Sequence, residues 1–263
     1  MNRKSSLLKS GISLSVLTLV SRVLGLIREM TKSAFLGTGP LADAFTVAFM
    51  IPNLLRRIFA ENSMTVAFIP TFQTYLEEEK RNTPNAKASM KEFLSATFTM
   101  LSFAVTGTVI IGILCSGLIV AVFFPKIGDF SATVLLTRIM FPYLLFISIA
   151  AFFQGILNGV RIFLPTGVTP VLFNLCVIGG TLLLSAPCGN PALAMSIGVI
   201  AGGTLQMLFQ LPFVLRAGFR FKPIPLMRSM RNAGTKKILK LIVPTLIGTA
   251  AYQINDLVST ALA

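Results

Sequence analysis

Not one Asp, Glu, Lys or Arg occurs between Ile162 and Leu215, and a second uncharged stretch runs from Phe93 to Pro125. A membrane-spanning helix needs about 20 mostly apolar residues, so these stretches are long enough to cross a bilayer. Charged residues make up 12% of the chain, about half of what soluble domains carry. This composition excludes an ordinary soluble enzyme and a disordered chain. It predicts an all-α fold, a polytopic bundle of transmembrane helices.

The apolar segments and the polar residues between them predict seven spans. The turn sequence at residues 186–191, with two prolines and a glycine, divides the longest uncharged stretch in two. The second span contains charged residues and would be roughly 50 Å long as one helix. We therefore expect it to project beyond the bilayer or to bend at Pro52. The predicted spans cover residues 7–35, 41–75, 93–125 and 131–158, two spans within 162–215, and 241–263.

Lys and Arg are distributed unevenly among the loops, and the chain has 23 basic residues against nine acidic ones, a net charge of +14. With a cytoplasmic N-terminus, the cytoplasmic segments 1–10, 76–92, 159–161 and 216–240 hold three, four, one and eight basic residues. The opposite side has only Lys32 and Lys126, near helix ends. This asymmetry predicts that orientation. It accounts for the basic surplus without nucleic acid as a partner.

The segment 216–240 contains no acidic residue. It is either a determinant of topology, which we favour, or a surface that contacts anionic membrane lipids. The predicted organisation is a transmembrane lobe of six helices at 1–215, a basic cytoplasmic loop at 216–240, and a seventh helix at 241–263. Because the sequence stops inside an apolar span, we expect the seventh helix to be truncated and the chain to be a fragment of a longer protein.

Four arginines and three carboxylates lie within the first two predicted spans. Charge at bilayer depth is costly unless it is paired or hydrated, so these residues predict a polar cavity between helices. Four arginines against three carboxylates leave that cavity net positive, and arginine binds phosphate through two parallel hydrogen bonds without losing its charge. The seven residues are Arg22, Arg28, Glu29, Asp43, Arg56, Arg57 and Glu61.

Helical spacing suggests different roles for these groups. Arg57 and Glu61 are four residues apart and are predicted to form an ion pair that supports the helices, together with Glu29. Arg28 and Arg56 are predicted to bind an anionic ligand. The alternative is a closed ion-pair network that only holds helices together, and it explains the arginine surplus poorly.

Several chemistries have no residues to carry them. The chain has no His, its three cysteines lack metal-binding spacing, and no nucleotide-binding or nucleophile motif occurs. We therefore expect no metal, no cofactor and no enzymatic activity, and a transporter or channel is the natural class. Arg138 is expected to extend to the interface. For Asp256, ion binding and a polar contact to another helix remain equally open.

Several blocks of the sequence resemble the MurJ (MviN) family of bacterial lipid II flippases, in the MOP superfamily. The resemblance covers nearly the whole chain, and its most specific block is Pro52–Glu61. The other blocks are Ser21–Glu29, Ala42–Phe45, Phe141–Leu145, Ile156–Asn158, Pro170–Asn174 and Leu205–Pro212.

The resemblance implies a MOP-type N-terminal lobe of six helices plus most of a seventh. It implies a multi-pass protein of the bacterial inner membrane, with cell-wall synthesis enzymes as possible partners. Such a protein moves undecaprenyl-pyrophosphate-linked disaccharide pentapeptide, lipid II, from the inner to the outer leaflet by alternating access. The cavity residues of the family fall on Arg22, Arg28, Asp43 and Arg56. The alternatives are a flippase for another polyprenyl-pyrophosphate-linked oligosaccharide, and a membrane scaffold that transports nothing.

Overall fold

The computed structural model of the chain describes residues 3–57, 59 and 64–242. Within these residues the regular structure is helical, as the apolar patterning predicts. The segment 233–242 is also helical. The helices are α1 (Arg3–Leu36), α2 (Pro40–Arg56), α3 (Ile69–Lys80), α4 (Ala86–Phe123), α5 (Phe130–Met140), α6 (Tyr143–Gly159), α7 (Leu164–Cys188), α8 (Pro191–Arg216) and α9 (Leu226–Arg231).

The second predicted span, residues 41–75, does not form one uniform α-helix. It contains α2, a π-helical turn at Met64–Phe68 and most of α3. Arg57 and Phe59 are π-helical as well. Pro52 lies inside α2, and the departure from α-helical geometry begins several residues after it. Glu61 lies outside the described residues.

The fourth predicted span consists of two helices. α5 ends at Met140, and α6 begins at Tyr143 after the pair Phe141–Pro142. Proline has no backbone N–H and its ring clashes with the preceding turn, so it begins a new helix here. Together α5 and α6 are long and apolar enough to cross a membrane, as are α4, α7 and α8. The seventh predicted span lies outside the described residues except for Leu241 and Ile242.

The helices α7 and α8 form an antiparallel hairpin. Gly189 ends α7 with a positive φ of 60°, and the side chain of Asn190 accepts hydrogen bonds from the first backbone N–H groups of α8. The two helices approach closely at Gly180, where an added Cβ would lie 2.8 Å from the Cα of Gly198. The predicted division of the long uncharged stretch at residues 186–191 is confirmed.

Apolar side chains divide between a packed interior and an outer surface. Only 28% and 22% of the residues in the most apolar stretches of α4 and α7 are buried, against 50% in α5–α6 and in α8. In the uncharged part of α4, the large exposed side chains, such as Leu114 and Leu118, are apolar. α4 and α7 therefore present apolar outer surfaces, while α6 and α8 are packed more deeply against other helices.

The basic segment between α8 and residue 240 is folded against the bundle. Residues 219–225 lie outside the helices, and half-buried and exposed side chains alternate from 219 to 222. Phe219 and Phe221 pack on the rings of Phe72 and Phe152, while the neighbouring basic side chains are exposed. The backbone N–H of Lys222 donates to the Ser95 hydroxyl at 3.3 Å. The segment is thus a strap fixed to α4, with its eight basic residues outside: Arg216, Arg220, Lys222, Arg228, Arg231, Lys236, Lys237 and Lys240.

Candidate anion-binding site

Arg28 lies on α1 with its guanidinium directed at α7. Its Nη2 donates to Glu29 Oε1 at 2.8 Å, and its Nε reaches the same oxygen at 3.3 Å. Its Nη1 donates to Asn174 Oδ1 at 3.2 Å, and its Cζ lies 5.9 Å from the ring centroid of Phe173. Lys32, one turn further along α1, places Nζ 3.0 Å from the other oxygen of Glu29. Two cations therefore share one carboxylate, which leaves a net charge of +1.

Asn174 fixes the position of this guanidinium. The residue is 6% exposed, and its Nδ2 donates to the backbone oxygen of Ser21 at 3.1 Å. A backbone oxygen can only accept, so the amide oxygen of Asn174 must face Arg28. One buried amide thus connects α7 to α1 at two points and orients the arginine.

The Arg28 cluster borders a cavity of about 230 Å³, here called the Arg28 cavity. Apart from Arg28, Glu29 and Lys32, its wall is mostly apolar and aromatic. The low polarity of the wall strengthens the field of the cations. The remaining lining residues are Phe45, Thr46, Phe49, Met50, Asn53, Phe173, Val177, Met195 and Val199.

Arg56 belongs to a second cavity, of about 270 Å³, here called the Arg56 cavity. Its Nε donates to Asn53 Oδ1 at 2.9 Å. Among the described residues that line this cavity, Arg56 is the one that carries a charge. The rest of the wall is apolar or carries neutral amides and hydroxyls from α6, α7 and α8: Gln154, Asn158, Thr166, Thr169, Gln206 and Gln210.

The two cavities follow one another along the same helices. On α2, residues from Phe45 to Asn53 line the Arg28 cavity and Arg56 lines the next. α7 and α8 contribute residues to both cavities. Because the two helices are antiparallel, the Arg56 cavity is lined by the start of α7 and the later part of α8, and the Arg28 cavity by the residues that follow on α7 and precede on α8. Asn53 lines the first cavity and bonds the arginine of the second. The arrangement is a tract of two successive cavities with an arginine at each level.

The other predicted site residues lie apart from these cavities. Arg22 and Asp43 are exposed, and neither lines the Arg28 or the Arg56 cavity. Asp43 is in the first turn of α2, where a carboxylate interacts favourably with the helix dipole. Arg57 is half-buried and π-helical, which changes the spacing on which its pairing with Glu61 was predicted. Because Glu61 lies outside the described residues, that pair stays a prediction.

Sequence reasoning missed several residues of the site. Lys32 was assigned to a helix end, although its spacing of three from Glu29 places both on one face. Asn174, Gln206 and Gln210 were noted only within family-like blocks. A signal was present, since amide side chains are infrequent in uncharged spans and usually hydrogen-bond across helices there. Arg138, expected at the interface, is exposed but donates from Nε to the buried Ser116 hydroxyl at 2.8 Å.

Comparison with known proteins identifies the family. The family described as lipid II flippase MurJ matches residues 32–263. The chain belongs to the MurJ family. It is 51% identical to a probable lipid II flippase MurJ of Treponema pallidum over its whole length, and 37% identical to the Vibrio cholerae protein of the same name over 98% of the chain. Membership places the chain among multi-pass proteins of the bacterial inner membrane.

A solved structure shares the fold. A lipid II flippase MurJ in an inward closed conformation superposes with a TM-score of 0.72 at 24% identity, over 95% of this chain and 50% of that one. This similarity confirms the predicted fold class, an all-α transmembrane bundle of the MurJ type. The chain spans about half the length of the curated MurJ relatives it matches, 49% of the Treponema and Vibrio proteins.

Proposed function

We propose that this chain takes part in moving lipid II from the inner to the outer leaflet of the cytoplasmic membrane by alternating access. The observation that carries the proposal is the tract of two arginine cavities along α2, α7 and α8, in a chain of the MurJ family. A pyrophosphate that crosses a bilayer needs its charge matched at each level. Arg28 and Arg56 supply that charge, while the polyprenyl tail stays in lipid.

The contacts of Arg28 suit a binding role. A guanidinium has five N–H donors, and three of them make the bonds to Glu29 and Asn174. Within the described part of the chain, one N–H on Nη1 and one on Nη2 are not used by these bonds. Two such N–H groups can bind two oxygens of one phosphate. The pairing with Glu29 holds the guanidinium still and, because Lys32 shares the carboxylate, does not cancel the positive charge.

The predicted orientation gives the two cavities an order. With a cytoplasmic N-terminus, the end of α6, the start of α7 and the end of α8 face the cytoplasm, so the Arg56 cavity lies on that side. The Arg28 cavity then lies nearer the periplasm. We infer that the pyrophosphate contacts Arg56 first and Arg28 later on its outward path.

Anionic membrane lipids are proposed as a second contact, through the strap at 216–240. Its eight exposed basic residues lie outside while its aromatic residues are packed inward, as expected for a segment at a negatively charged leaflet. A role in topology uses the same charges, so the two readings are compatible. An interaction with cell-wall synthesis enzymes stays a prediction that rests on the family resemblance.

A binding titration separates a lipid II transporter from a scaffold. Purified protein in nanodiscs is titrated with polyprenyl pyrophosphate and with lipid II. Arg28→Ala and Arg56→Ala should each weaken binding roughly ten- to hundred-fold, the effect of losing charge-assisted hydrogen bonds. Arg138→Ala is the matched control, because Arg138 lines neither cavity. Equal binding by the wild type and the three variants would favour the scaffold. If another polyprenyl-pyrophosphate-linked oligosaccharide, titrated in the same way, binds more tightly than lipid II, the alternative flippase is favoured.

A further inference from the structure

Two buried amides of α8 have carbonyl oxygens that receive no hydrogen bond within the described part of the chain. Gln206 and Gln210 are 6% and 1% exposed, and both line the Arg56 cavity. Their Oε1 atoms accept no hydrogen bond from any group in the described part of the chain. Buried polar atoms are normally paired, so two such acceptors one helical turn apart at a cavity wall indicate a ligand contact.

The orientation of both amides is fixed by their other halves. Gln206 Nε2 donates to the backbone oxygen of Thr169 at 2.8 Å, and Gln210 Nε2 donates to the backbone oxygen of Gln206 at 3.2 Å. Rotating either amide by 180° would bring two oxygens together, since a backbone oxygen cannot donate. The acceptor atoms are therefore the ones left for another partner.

The wall of the Arg56 cavity carries both hydrogen-bond donors and hydrogen-bond acceptors. Arg56 offers only donors and suits phosphate oxygens, whereas the two glutamine oxygens accept and are unsuited to a phosphate. Other neutral groups line the cavity, and the Thr166 hydroxyl already donates to the backbone oxygen of Phe163 at 2.7 Å. The cavity volume is about 270 Å³, whereas one water molecule occupies roughly 30 Å³ in the liquid. The cavity therefore has room for a group larger than a single water molecule.

We propose that Gln206 and Gln210 form a subsite for the neutral part of the lipid headgroup, whose hydroxyl or amide N–H groups donate to the two Oε1 atoms. The inference rests on the proposed function, in which Arg56 binds the pyrophosphate of the same molecule. Charge holds the phosphate, and the acceptors discriminate among the groups attached to it. A headgroup that lacks donors leaves the acceptors unpaired and binds more weakly.

Three probes in nanodiscs test the subsite: polyprenyl pyrophosphate, the same lipid carrying the disaccharide, and the lipid carrying the disaccharide pentapeptide. The quantity compared is the affinity gain of each headgroup over the bare pyrophosphate. Gln206→Met and Gln210→Met should each reduce this affinity gain about three- to ten-fold, because each variant loses one neutral hydrogen bond. A loss already seen with the disaccharide assigns the donors to sugar hydroxyls or the sugar amides, and a loss confined to the third probe assigns them to the peptide.

Controls are built into the same titration. Ser148→Ala removes another buried, unpaired polar atom that lies outside the Arg56 cavity, and it should leave every affinity unchanged. Unchanged binding of the bare pyrophosphate shows that a variant is folded. If the Met variants no longer bind the bare pyrophosphate, Gln206→Asn and Gln210→Asn replace them in the test. These variants keep the amide but withdraw its oxygen by one carbon, and the same fall in headgroup gain is expected.

An unchanged headgroup gain in the double Met variant, with pyrophosphate binding still dependent on Arg56, would overturn the subsite and leave the proposed function standing. It would mean that water alone satisfies the two oxygens. Failure of the wild-type protein to bind any of the three probes would overturn both proposals.

Discussion

At the scale of single residues, Arg28 is held in place by side chains of α1 and α7. Neighbouring residues on a helix point about 100° apart, so helical spacing alone separates Arg28 from Glu29. The structure joins them, because a long arginine side chain can turn back to the adjacent carboxylate. Lys32 and Asn174 complete the cluster. The contact with Asn174 joins distant parts of the chain, and no spacing rule on one helix predicts it.

Substitution of Arg28 tests whether the cluster binds a ligand or only neutralises charge. Arg28→Ala should leave the fold intact, because Lys32 still pairs with the half-exposed Glu29 and such pairs contribute about 0–1 kcal/mol. Affinity for polyprenyl pyrophosphate should fall sharply, and Arg28→Lys should retain part of it because charge without the planar fork remains. Adding Glu29→Gln to Arg28→Ala should not restore transport. Restored transport would show that Arg28 serves only to neutralise its neighbour.

Asn174 is expected to act through Arg28. Asn174→Leu keeps the volume but removes the bond that orients the guanidinium, so pyrophosphate affinity should drop about ten-fold. A double-mutant cycle with Arg28→Ala measures the coupling. The double variant should bind no more weakly than Arg28→Ala alone, and fully additive losses would contradict the positioning role.

At the scale of helices, the sequence predicted where the chain crosses the membrane better than it predicted the regularity of each crossing. Apolar length and turn residues located α4, α7 and α8, since bilayer thickness sets helix length. The second span was drawn as one helix because periodicity arguments assume 3.6 residues per turn throughout. Its π-helical residues, at Arg57, Phe59 and Met64–Phe68, violate that assumption. The Phe141–Pro142 break had a visible signal in its proline.

The packing of α7 on α8 gives a prediction with an adjacent control. Gly180→Ala places a Cβ 2.8 Å from the Cα of Gly198, whereas a Cβ at Gly179 meets nothing within 4 Å. Gly180→Ala should therefore destabilise the protein by about 1–3 kcal/mol, the usual cost of overpacking. Gly179→Ala should be neutral or slightly stabilising, since alanine favours helix. Thermal unfolding in detergent measures both, and equal midpoints would contradict the close helix contact.

At the scale of the whole molecule, the two most basic loops meet at one end of the bundle. Nε of Arg228, in the strap, lies 3.1 Å from Oε1 of Glu92, near the start of α4. The charge count alone placed 76–92 and 216–240 on one side, and their contact agrees with that placement. The sequence did not predict that the strap is folded, because its fixing points are the hydroxyls of Ser95 and Thr99 on a distant helix.

Cysteine labelling tests the orientation of the bundle. Lys236 and Lys126 are both exposed, and they lie on opposite sides of the predicted topology. In a background that lacks the native cysteines, Lys126→Cys should react with an impermeant thiol reagent added outside intact cells. Lys236→Cys should react only after the membrane is opened. Labelling of Lys236→Cys from outside would reverse the assigned order of the two cavities.

The most direct test of the account is outward transport of lipid II by the arginine variants in the full-length protein. Cells are depleted of their own flippase, and the fraction of lipid II open to an impermeant degrading enzyme outside is measured. Wild-type protein and Arg138→Ala should restore that fraction, while Arg28→Ala and Arg56→Ala should not, at equal abundance in the membrane. Full restoration by Arg28→Ala or Arg56→Ala would contradict a tract in which both arginines carry the pyrophosphate across the membrane.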